Sequence, residues 1–135
     1  MPALTADRAT PKRVPRDFSL PMAAGALIYA GAIACVNAAG LAVKGSTALN
    51  LKAVGVAMRR ADNTAGANGA VRVEVERGCF RFANSASTDQ ITLADIGSTC
   101  FIVDDQTVAK TNGANTRSAA GTVRDVDAAG VWVDF

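Results

Sequence analysis

The amino-acid sequence predicts an all-β fold: a small single-domain barrel or sandwich of short antiparallel strands, with one short helical turn and an extended N-terminal arm. Three observations carry that expectation. In residues 71–82, Val71, Val73 and Val75 alternate with Arg72, Glu74 and Glu76, the two-residue period of a strand with one buried and one wet face. Asx and glycine residues break the apolar runs at the roughly eight-to-twelve-residue spacing of short strands. Half of the 135 residues are apolar, but Ala, Gly and Val dominate and aromatics make up only 5%, which suits short strands and tight turns better than long helices. A chain of this length forms one domain and buries about two-thirds of the surface it exposes when unfolded.

Taken in order, residues 1–21 hold all four prolines and no helical or strand period, so they read as an extended arm, with residues 22–135 as the β-rich body. Residues 1–17 carry Arg8, Lys12, Arg13 and Arg16 against Asp7 and Asp17; beyond them acidic and basic side chains balance, so the net charge of +2 sits on the arm. Residues 18–43 are uncharged. Only eight of them are Leu, Ile, Val or Phe, each worth about −0.3 to −0.6 kcal/mol on insertion, and Pro21, Asn37 and three glycines oppose them, so no membrane span is expected. Ala-Ile-Ala-Cys35 stands where a lipoprotein signal would put its cysteine. The preceding basic region is long, proline-rich and partly acidic, however, so export is not the expectation.

The same run reads as strands at 26–30, 33–36 and 41–43, with Asn37-Ala38-Ala39-Gly40 as the last turn. Asp127-Ala128-Ala129-Gly130 repeats that chemistry between 124–126 and 131–133: an Asx side chain opens the turn and glycine closes it. Residues 51–59 form a strand with Val54, Val56 and Met58 in phase, returned by the polar turn 62–69. After Arg77-Gly78 the phase flips, since Phe80 and Phe82 are even where the valines are odd. A bulge at Gly78 in one long bent strand would bring all five side chains to one core. Thr92-Leu93-Ala94-Asp95 fits a capping box closed by Gly97, a single helical turn. Residues 100–103 and 107–109 form a hairpin around Asp104-Asp105-Gln106, and 120–126 and 131–135 end the chain.

Histidine is absent, which removes the commonest general base and zinc ligand. Cys35, Cys79 and Cys100 are odd in number and widely spaced, so free buried thiols in a reducing cytoplasm are expected rather than disulfides or a metal knuckle. Asp104-Asp105 reads as a turn. Gly45-Ser46-Thr47 and Gly97-Ser98-Thr99 lack the lysine and spacing of a phosphate loop. No enzyme activity, metal or cofactor is expected. Phe80-Arg81-Phe82 raises the alternative of a nucleic-acid-binding β-barrel module that stacks bases, but Glu74, Glu76 and the neutral body oppose it. Trp132 lies opposite Val131, Val133 and Phe135 on the last strand, on the nominally wet face, and is a candidate interface anchor.

Several stretches together carry a resemblance: Leu4-Thr5-Ala6-Asp7-Arg8 with Thr10-Pro11, Ile28-Tyr29-Ala30-Gly31-Ala32, residues 71–84 with Arg-Gly-Cys-Phe-Arg-Phe, Ala94-Asp95-Ile96-Gly97, Val103-Asp104-Asp105-Gln106-Thr107-Val108, and Gly130-Val131-Trp132-Val133. The chain resembles the capsid cement or decoration proteins of tailed bacteriophages and Mu-like prophages. The resemblance implies a β-rich protein made in the host cytoplasm. It would sit on the outer surface of the virion head, commonly as homotrimers at three-fold positions, and clamp neighbouring major capsid subunits. On that expectation the arm is the capsid-binding strap, with Leu4, Arg8, Lys12, Arg13 and Arg16 as its contact residues and Trp132 as a subunit or capsid contact.

Overall fold

The computed structural model describes residues 2–13 and 15–135. Twelve strands run in chain order: β1 (Asp17–Pro21), β2 (Leu27–Ile28), β3 (Ile33–Val36), β4 (Ala42–Lys44), β5 (Lys52–Ala57), β6 (Ala61–Asp62), β7 (Arg72–Glu76), β8 (Cys79–Phe82), β9 (Thr99–Ile102), β10 (Val108–Ala109), β11 (Ala119–Asp127) and β12 (Gly130–Asp134). They form three antiparallel sheets: β1-β7-β5-β3-β4, β10-β9-β11-β12-β8, and the ribbon β2-β6. The fold is mostly β, and none of the sheets closes on itself. Residues 17–76 build the first sheet and the ribbon and residues 79–134 the second, so the chain passes between the two large sheets once.

Two hydrophobic cores follow. The first lies between the large sheets, joining Ile33, Cys35 and Val56 of the first to Phe82, Cys100, Ile102, Val108, Val123, Val131 and Val133 of the second. The second core covers the opposite face of the first sheet. It is built from Met22, Ile28, Ala34, Ala42, Ala57, Ala61, Val73 and Val75, with Phe18, Leu20, Val54 and Val71 partly buried against it.

These cores correct the reading of residues 71–82 as one bent strand feeding one core. Val73 and Val75 belong to the second core, whereas Phe82, with Phe80 packed beside it, belongs to the first. The phase flip marks a change of sheet. Arg77 N–H donates to the Arg16 carbonyl (2.7 Å), ending the β1–β7 ladder, and the Gly78 carbonyl already accepts Phe135 N–H (2.9 Å) beside β12.

The strand with a glycine bulge is β5. Ala34 pairs with Gly55 but Cys35 with Ala53, leaving Val54 as the extra residue. Val54 therefore turns to the second core and Val56 to the first, while Met58, expected in phase with both, is 44% exposed. Gly55 has φ +142°, and a Cβ there would stand 2.3 Å from the Glu76 carbonyl oxygen, so β7 can lie this close only against glycine.

The arm is also shorter than its prolines suggest. Asp17–Pro21 pairs with β7, because Phe18 and Leu20 meet Val75 and Val73 across the ladder and bury against the second core. Pro21 is tolerated because β1 is an edge strand. Local turn chemistry behaves as expected. The Asn37 side-chain oxygen accepts the Ala39 and Leu41 N–H groups, and Asp127 Oδ1 accepts those of Ala129 and Gly130. The helical turn is a 3-10 turn at Leu93–Asp95, where Thr92 N–H donates to the Asp95 carboxylate at 2.8 Å. A second 3-10 turn is Ser87–Asp89.

Candidate functional site: the arm and its surroundings

Residues 2–13, 15 and 16 are exposed and lie outside any helix or strand. Prolines at 2, 11 and 15 remove donors there, and the apolar side chains are too sparse to bury. Leu4 is 74% exposed. The four cations of the arm divide into two pairs. Arg16 Nε lies 3.4 Å from Asp17 and 3.5 Å from Glu76, and the Arg13 guanidinium sits 5.6 Å from the centroid of the Phe18 ring, so these two fasten the root of the arm to the first sheet. Arg8 and Lys12 have no ion pair among the described residues. Beside the root runs a surface groove of about 590 Å³ lined by Arg13, Asp17, Phe18, Ser19, Met58, Arg59, Arg72 and Glu74.

Trp132 lies far from the arm in the pairing scheme, on β12 of the second sheet. It is half-buried. Its indole N–H donates to the Asp127 carboxylate at 3.0 Å, and the Arg81 guanidinium lies 5.9 Å from its ring centroid. That indole bond, followed by the Ala129 N–H, holds the Asp127 carboxyl below the usual carboxylate range. The side chain expected to reach a partner is thus held on two sides by its own chain.

The remaining candidates serve local structure. Asp104 caps its own turn by accepting the Gln106 N–H (2.9 Å), and the Asp105 carbonyl accepts the Ile33 N–H (2.8 Å). Thr47 donates to the Val103 carbonyl (2.7 Å). The three cysteines are free; Cys35 and Cys100 are buried, whereas Cys79, expected to be buried, is exposed on β8. Burial pushes the Cys35 thiol up to about 12, which leaves it an inert apolar group at neutral pH. Among the described residues no group of three or more Cys, Asp or Glu could hold a metal ion, and no helix is long and apolar enough to cross a membrane.

One cluster escapes sequence reasoning. Asp89 accepts hydrogen bonds from Thr111 and Arg117, the latter at 3.2 Å, tying the 3-10 turn at Ser87–Asp89 to the loop 111–118. Nothing local in the sequence links these two segments, which are brought together only by the fold. The chain matches no protein-family model, no curated protein and no solved structure.

Proposed function

We propose that this chain is a structural, non-enzymatic protein of a bacteriophage head. It binds the outer surface of the shell and clamps neighbouring major capsid subunits, as a homotrimer on the capsid. Its two large sheets act as a two-layer sandwich, a rigid body from which the arm is paid out. One observation carries the reading: an exposed segment outside any helix or strand, whose Arg8 and Lys12 have no ion pair among the described residues, precedes an edge strand rooted by Arg13 and Arg16. Fully extended, residues 2–16 reach roughly 45 Å at about 3.1 Å per residue, enough to cross onto a neighbouring subunit. Leu4 supplies an apolar anchor and the cations meet acidic side chains there. The rival reading, a module that stacks nucleic-acid bases on Phe80 and Phe82, has Phe82 buried in the first core and Phe80 packed, partly buried, against it.

Deleting residues 2–12 tests the proposal while leaving Arg13 over Phe18 and the β1 ladder intact. The expected result is an unchanged far-UV spectrum and thermal midpoint with binding to expanded heads lost. Undiminished binding would remove the arm from the mechanism.

A further inference from the structure

Two Asn-Gly dipeptides stand in the chain, Asn68-Gly69 and Asn112-Gly113. Such a pair carries its own chemistry, because the glycine amide nitrogen can close on the asparagine side-chain carbonyl with no Cβ in the way. The fold treats the two differently. Gly69 N–H donates to the Met22 carbonyl at 2.8 Å, and Asn68 Oδ1 accepts the Ala24 N–H at 2.8 Å. The attacking nitrogen and the carbonyl it would attack are thus both tied to the segment that follows β1.

In the loop 111–118 the nitrogen is loose and the carbonyls are held. Among the described residues Gly113 N–H meets only the Thr111 hydroxyl, at 3.4 Å, a length at which little of a hydrogen bond is left. Asn112 Oδ1 accepts the Asn115 N–H (3.3 Å), and Asn112 Nδ2 donates to Asn115 Oδ1 (3.3 Å). The main-chain carbonyl of Asn112 accepts two N–H groups, from Thr116 (3.0 Å) and Arg117 (3.1 Å). Residue 113 must be glycine, since φ is +63° and a Cβ would stand 2.6 Å from Thr116 Oγ1. The Arg117 guanidinium bonds Asp89 and the Thr111 carbonyl, which holds the loop in shape. Its Nε lies buried and unpartnered beside Gly113, a positive neighbour for a nitrogen that must shed its proton.

We propose that Asn112 is a site of self-modification, at which the loop 111–118 converts the asparagine to isoaspartate through a succinimide. The Gly113 nitrogen forms a bond to Asn112 Cγ, the Cγ–Nδ2 bond breaks, and Nδ2 leaves as ammonia with the proton that Gly113 gives up. Charge develops on Oδ1 in this step, where the Asn115 N–H already points. Water then adds to the main-chain carbonyl carbon of residue 112. The bond from that carbon to the Gly113 nitrogen breaks, and a proton of the water returns to the nitrogen. Charge now develops on the main-chain oxygen, on which the Thr116 and Arg117 N–H groups converge in the manner of an oxyanion hole. Opening in this direction joins residue 112 to Gly113 through its side-chain carbon and frees the main-chain carboxylate, which keeps both donors as charge-assisted bonds. The product takes one unit from the net charge of +2 and lengthens the backbone by one methylene in the loop that Asp89 ties down.

The test incubates the folded chain at mildly alkaline pH in heavy-oxygen water and digests it with trypsin in ordinary water, so that only residues converted before digestion carry the label. Trypsin cuts after Arg60, Arg72, Lys110 and Arg117, which puts the two dipeptides on separate fragments, and tandem mass spectrometry distinguishes Asn112 from Asn115 and Asn68 from Asn63. Residue 112 should convert about tenfold faster than residue 68, or more, because the bonds to Met22 and Ala24 must first break at the latter. In denaturant the two should convert at similar rates, which assigns the difference to the fold. The isoaspartyl share of the product at residue 112 should be higher in the folded chain than in the denatured one. Equal rates in the folded chain, no conversion at residue 112, a difference that persists in denaturant, or the same isoaspartyl share in both states would each overturn the proposal.

Discussion

Trp132 is the one tryptophan of the chain, and its contact with Asp127 makes it a reporter of a single carboxylate. The Asp127 pKa is depressed from 3.8 by the indole bond first and the Ala129 N–H next. For a depressed acid, the stabilising contribution is present above the unfolded-state value and is lost as pH falls through the lower folded-state value. Tryptophan emission should therefore hold steady from pH 7 to about 4 and shift to the red only below 3.8, as the protonated carboxyl releases the indole. Asp127→Ala should show the red-shifted emission already at neutral pH. A transition centred at or above 3.8 would mean that Asp127 does not hold the ring. The same contact explains why the interface role read for Trp132 from strand alternation overlooks its engagement: alternation gives the face, but the partner five positions away is brought back by the hairpin.

At the scale of strands and turns, Gly55 makes a quantitative comparison possible. Gly25 also has positive φ, +75°, yet a Cβ there meets nothing within 4 Å, whereas at Gly55 it meets the Glu76 carbonyl at 2.3 Å. Gly25→Ala should cost about 1 kcal/mol for the left-handed backbone alone. Gly55→Ala should cost on the order of 2 kcal/mol or more, because β5 and β7 must also separate. Urea titrations of the two variants check the difference; equal midpoints would show that the close approach does not constrain the sheet. What could be read from the chain was local: β3 and the turns at Asn37, Thr92 and Asp127 follow from alternation, Asx chemistry and capping within a few residues. The change of sheet at Gly78 could not, since a bulged strand and a departing strand leave the same flip in the sequence. Nor could β1, where prolines conceal Phe18 and Leu20 until Val73 and Val75 lie beside them. The exposure of the arm was legible from its prolines and charges.

For the molecule as a whole, the single crossing between sheets divides the chain in time as well as in space. When residue 78 has been added, every strand of the first sheet and every side chain of the second core has been synthesised. Residues 79–135 need roughly 3 to 11 s more at about 5–20 residues per second. During that interval Ile33, Cys35 and Val56, destined for the first core, line an apolar face with nothing opposite. A chain ending at residue 78 should accordingly show β-type circular dichroism and bind a hydrophobic dye that the 135-residue chain ignores; an unstructured, dye-silent fragment would mean that the first sheet waits for the second. The apolar face that such a fragment would present is the one that β8–β12 cover in the folded chain.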